Sequence, residues 1–115
     1  MDLGLVRSGD VPVIRVGEER IDSATAIQFK EGLRALADRA DARAGRLILD
    51  MGSVGFVDSS GLGAIVAAMK LLAPGLRLEL AALTPNVARV FRLTRMDSVF
   101  VIHPAVPGGA ATDAA

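Results

Sequence analysis

A nearly continuous apolar stretch, Arg46-Leu47-Ile48-Leu49-Asp50, is followed by Phe56-Val57-Asp58-Ser59-Ser60-Gly61-Leu62-Gly63 and then by Ile65-Val66-Ala67-Ala68-Met69. A short apolar run without polar alternation suits a strand buried on both faces, which belongs inside a sheet. The second run, introduced by hydroxyls and glycines, predicts a helix from Gly61 to Leu72 that Pro74-Gly75 stops. A strand that hands over to a helix in this way directs the chain toward an α/β fold. It also sets Ser59 and Ser60 at a helix start, where side chains are displayed and backbone N–H groups lack partners. A hydroxyl at such a place can serve as cap, nucleophile or phosphorylation site.

The flanking sequence extends the pattern. Leu3–Val6 and Val11–Val16 read as strands joined by a Ser8-Gly9-Asp10 turn, with Pro12 marking an edge or a strand start. Asp22 or Ser23 is placed to cap a helix running to about Ala40, whose apolar stripe is Ala26, Phe29, Leu33, Leu36, Ala37 and Ala40. Leu76 to Leu80 alternates cleanly, which predicts a strand with one wet face or at an edge. Thr84-Pro85 opens a third helix with Val87, Val90, Phe91 and Met96 on its inner side, and Val99–Ile102 is the last strand. Strands alternating with helices imply parallel pairing, with the first hairpin as an antiparallel edge. The expected fold is a single small α/β domain over residues 1–103, a mixed, mostly parallel sheet with helices packed against it. Residues 104–115, rich in Pro, Gly and Ala, are expected to form a disordered tail.

Composition narrows the function. Of the 115 residues, 51% are hydrophobic but only 3% aromatic, so Leu, Val, Ile and Ala must fill the core and stacking on nucleobases is poorly provided for. Thirteen basic residues balance thirteen acidic ones, which leaves no basic field for nucleic acid or for an anionic membrane. There is no cysteine, hence no disulfide, thiolate or zinc-thiolate chemistry. No apolar run reaches the length of a membrane span and no signal sequence opens the chain, so a cytoplasmic protein is expected.

Catalytic readings fit the residues badly. A nucleophile elbow requires Gly two residues before the serine, where Val57 and Asp58 stand instead. The one imidazole, His103, precedes the tail. Gly61-Leu62-Gly63 begins like a dinucleotide fingerprint, but Val66 occupies the third glycine position; close backbone approach at the helix start explains both glycines more simply. Asp22, Asp50 and Asp58 each have a turn or cap role to hand and no metal-ligand spacing. Arg89, Arg92 and Arg95 recur on the third helix as a solvated face or as a contact for an acidic partner. The helix from Gly61 carries only Lys70 as a charge, so it is either mostly buried or a docking surface of small residues.

The segment Leu49-Asp50-Met51-x-x-Val54-x-Phe56-Val57-Asp58-Ser59-Ser60-Gly61-Leu62-Gly63, with Lys70 further on, resembles the signature of STAS domains in the form carried by bacterial anti-sigma factor antagonists. Gly17-x-x-x-Ile21-Asp22 is similar to that family's Gly-x-Leu-Asp strand end, with Ile for Leu and one extra residue. The resemblance covers about residues 3 to 103. It implies a non-enzymatic, cofactor-free partner switch in transcription regulation and stress response. The unmodified antagonist binds an anti-sigma factor that is also a serine kinase, which frees the sigma factor. Phosphorylation of Ser59 ends the binding, and a serine phosphatase restores it. The partner-binding residues it implies are Asp22, Asp58, Ser59, Ser60, Gly61, Leu62 and Gly63. Two other readings stay open: a STAS module of a transporter accessory or scaffold complex, and a small nucleotide-binding domain. A weak homodimer is likewise left open by the Ala- and Leu-rich second and third helices.

Overall fold

The computed structural model describes residues 1–40, 43 and 45–107. Strands β1 (Leu3–Ser8) and β2 (Val11–Val16) form an antiparallel hairpin, in register from Leu3 opposite Val16 to Ser8 opposite Val11. After β3 (Arg20–Ile21) come α1 (Ala26–Arg39), β4 (Arg46–Asp50), β5 (Phe56–Val57), α2 (Ser59–Leu71), β6 (Arg77–Ala81), α3 (Pro85–Leu93) and β7 (Ile102–His103). The main sheet has the order β1-β2-β4-β6-β7, with every pairing after the hairpin parallel. The mixed, mostly parallel sheet expected from the sequence is therefore present, with the hairpin at its edge. The two-residue strands β3 and β5 pair in parallel as a separate small sheet.

Side-chain alternation sorts the sheet into two faces. Ile14, Val16, Leu47, Leu49, Leu78 and Leu80 pack with Phe29, Leu33 and Ala37 of α1, Ala64, Ile65 and Ala68 of α2, and Val87 and Phe91 of α3 in one core. On the other face Val11, Val13, Ile48 and Ala81 make a smaller cluster that none of the described helices enters. Its cover is Val106, and the Ser8 hydroxyl donates to the Pro107 carbonyl at 2.7 Å. Of the tail expected from Pro104, Val106 and Pro107 lie against the sheet, Pro104 and Ala105 are exposed, and residues 108–115 fall outside the described residues.

Three local expectations are corrected. Strand β6 is neither wet on one face nor at an edge; it lies between β4 and β7, and Glu79 is only 2% exposed. Arg46 Nη1 (3.1 Å), Arg77 Nε (2.6 Å) and His103 Nε2 (2.8 Å) surround that carboxylate, so alternation marked a buried ion cluster where a solvated face was expected. Pro12 sits at the start of β2, beside the hairpin turn, which is the second of the two places expected for it. The last strand is Ile102–His103; Val99 and Val101 before it are exposed, after a 3-10 turn at Met96–Ser98. Arg95 lies past α3 with φ of 60°, so it does not continue a stripe from Arg89 and Arg92.

Candidate functional site

The small β3–β5 sheet builds the mouth of α2. Both Gly55 and Phe56 donate their N–H groups to the Glu19 carbonyl, at 2.8 and 3.2 Å. Arg20 then faces Phe56 and Ile21 faces Val57. In each strand the second residue is buried and the first points outward, as a period of two requires. The first turn of α2 lies directly on this pair. A Cβ at Gly61 would collide with the Ile21 carbonyl oxygen and stand 2.7 Å from its carbon. Gly63 has open space above it and is exposed. Close approach therefore explains Gly61 but not Gly63.

Asp58 caps α2. Its Oδ1 accepts from the Gly61 N–H at 2.8 Å, satisfying one of the helix's orphan donors. Its Oδ2 accepts from the Ser23 N–H at 3.3 Å. One carboxylate thereby ties the loop before α1 to the start of α2. Asp22 organises the same loop: Oδ1 accepts from the Ala24 N–H (3.0 Å) and the Thr25 hydroxyl (3.3 Å), and Oδ2 pairs with Arg20 Nε at 3.1 Å. The bond from Arg20 holds the Asp22 carboxyl below its ordinary range; slight desolvation opposes this, and Ala24 and Thr25 add to it. The Arg20 guanidinium carbon also lies over the Phe56 ring, 4.0 Å from its centre.

Helix α1 begins at Ala26 with Thr25 as the residue before it, so neither Asp22 nor Ser23 is its cap. Asp22 instead closes the turn that leads into it. Ser59 and Ser60 are the first two residues of α2 and both are exposed, Asp58 and Leu62 are half-buried, and Gly61 is buried. The structure brings Asp22, Asp58 and the two serines to one surface. It adds Arg20 and Phe56, which sequence reading did not assign to the site. The outward–inward alternation of Arg20-Ile21 and Phe56-Val57 was the available signal, but two-residue strands are too short for periodicity to detect.

Among the described residues, no hydrogen bond ties the Ser59 or Ser60 hydroxyl to a base. Both oxygens of Asp58 already accept from backbone donors, which suits an anchor better than a general base. His103 is bound to Glu79 at the β6–β7 edge. Among the described residues, no three His, Asp or Glu side chains converge in a way that would hold a metal ion. None of the described helices is long and apolar enough to cross a membrane. The arrangement is that of a two-layer α/β domain with two exposed hydroxyls at a helix start beside an ordered acidic turn.

The chain belongs to the STAS domain family, whose model matches residues 3–108. Its fold is similar to that of an anti-sigma-factor antagonist (STAS) domain protein from Planctomyces limnophilus (18% identity, TM-score 0.80, all of both chains covered). It is similar also to the Bacillus cell fate determinant SpoIIAA in its phosphorylated form (21% identity, TM-score 0.62, 99% of this chain and 98% of that chain). Part of a murine solute carrier 26 family anion transporter shares the fold (16% identity, TM-score 0.73, 90% of this chain and 17% of that chain).

Proposed function

We propose that the chain is an anti-sigma factor antagonist that acts by partner switching and is not itself an enzyme. The observation that carries this reading is the position of Ser59, exposed at the first residue of α2 and beside the Asp22 loop. The unmodified surface of Asp22, Asp58, Ser59, Ser60, Leu62 and Gly63, built over the buried Gly61, docks an anti-sigma factor that is also a serine kinase, and the sigma factor is released. In the transfer, Ser59 Oγ attacks the γ-phosphorus of the partner's ATP. The bond to the β–γ bridging oxygen breaks, ADP leaves, and the hydroxyl proton goes to a base on the partner. The product carries about −1.5 to −2 charges.

A helix start tolerates that anion, so the domain stays folded and the cost falls on the interface. A loss of about 3 kcal/mol weakens binding roughly a hundredfold. A serine phosphatase resets the switch. Likeness to a phosphorylated antagonist supports the reading. The place of action is the cytoplasm and the output is control of transcription under stress.

Incubation with the cognate kinase and ATP is expected to place one phosphate on Ser59, read by mass spectrometry. Undiminished transfer to Ser59→Ala would overturn the assignment and point to Ser60. The likeness to part of an anion transporter favours a second reading, a module of a transporter complex. Co-purification separates the two: a soluble kinase-like partner supports the first and a membrane transporter the second.

A further inference from the structure

The segments that build the mouth of α2, residues 19–25 and 55–63, carry four charged side chains: Glu19, Arg20, Asp22 and Asp58. One cation stands against three carboxylates. A phosphate on Ser59 would add a dianion to a turn already acidic, and Arg20 is the one positive group in those segments able to answer it. Its placement suits the task. Phe56, under the guanidinium, stands three residues before Ser59, and Ile21, next to Arg20, touches Gly61 two residues after it. Only Nε of Arg20 is engaged, by Asp22; its terminal nitrogens have no protein partner among the described residues, and 57% of the side chain is exposed. A guanidinium resting on an aromatic face keeps its edge free for a second acceptor, and its fork matches a phosphate better than a lone carboxylate oxygen.

We propose that Arg20 is the switching cation of this site: Asp22 holds it while Ser59 is unmodified, and the phosphate on Ser59 takes it over. The inference rests on modification of Ser59. Its consequence is that one modification alters two places on the partner surface. The phosphate gains a counter-ion, and Asp22, stripped of its own, becomes an unpaired anion on the loop before α1. A partner that docks on the Arg20–Phe56 platform with Asp22 neutralised meets a rearranged and more negative surface.

The test needs no kinase. Phosphoserine is installed at position 59 of the full chain by genetic encoding, and its phosphorus resonance is titrated by NMR. With Arg20 present the phosphate titrates lower than in Arg20→Gln, by about half a pH unit. Arg20→Lys recovers part of the difference. In parallel, the Arg20 Nε–H resonance is followed in Asp22→Asn: it shifts in the unmodified protein and stays put in the phosphorylated one. Equal titration midpoints in the wild-type and Arg20→Gln chains, with folding verified by the amide spectrum, would overturn the proposal. So would an Nε–H resonance that still responds to Asp22→Asn after phosphorylation. Because the phosphate is supplied by encoding, such a failure counts against Arg20 alone. Failure of a kinase to modify Ser59 counts against the proposed function.

Discussion

Gly61 lies on the carbonyl of Ile21 so closely that no side chain fits between helix and strand. The contact is backbone on backbone and cannot relax by a rotamer change. Gly61→Ala is therefore expected to destabilise the domain by about 2 kcal/mol, despite the better helix propensity of alanine. Gly63→Ala, in open space two residues on, is expected to stabilise it by about 0.5–1 kcal/mol. Urea denaturation of the two variants measures both. Opposite signs are the expected outcome, and a stabilising Gly61→Ala would contradict the packing described.

Asp58→Ala removes both a helix cap and the link to Ser23. A loss of about 1–2 kcal/mol is expected. Asp58→Asn should cost less, since an amide oxygen still accepts from Gly61. Thermal unfolding monitored by circular dichroism checks the order of the three proteins.

The buried carboxylate of Glu79 gives the stability a defined acid limb. Burial alone would raise its proton affinity, but bonds from His103, Arg77 and Arg46 together outweigh this and hold it below its ordinary value of 4.5. A group whose folded affinity is depressed contributes fully above its unfolded value. The contribution is lost as pH falls through the lower, folded value. Stability is thus expected to drop on acidification below about pH 4.5. Glu79→Gln should start less stable at neutral pH and show a flatter decline, as read by denaturant midpoints across a pH series.

Ser59→Ala is expected to leave stability within about 0.5 kcal/mol of the parent, because the side chain is exposed. The same change should abolish phosphate uptake from a cognate kinase, while Ser60→Ala retains it. Ser59→Asp is expected to fold normally and to bind the unmodified protein's partner more weakly, by calorimetry.

The parallel sheet and its hairpin edge were legible because Leu47-Ile48-Leu49 has no polar alternation and the apolar stripe through Phe29, Leu33 and Ala37 has helical spacing. The exposed hydroxyls at the start of α2 were legible because they directly precede the apolar run of the helix. Arg20 and Phe56 were not, since their strands are two residues long and their meeting depends on a parallel pairing across distant sequence. Glu79 misled for a different reason. Its partners Arg46 and His103 come from neighbouring strands, and a single sequence shows an acid in an alternating strand without showing what neutralises it.

The strap formed by Val106 and Pro107 has a practical corollary. It runs over the side of the sheet that none of the described helices covers, fastened to Ser8, while Ser59 opens a helix on the opposite side. A fluorophore or affinity handle attached at Pro107 itself would therefore sit on the rear of the domain. Held from that point, the protein would offer Ser59 and its surroundings to an incoming kinase unobstructed.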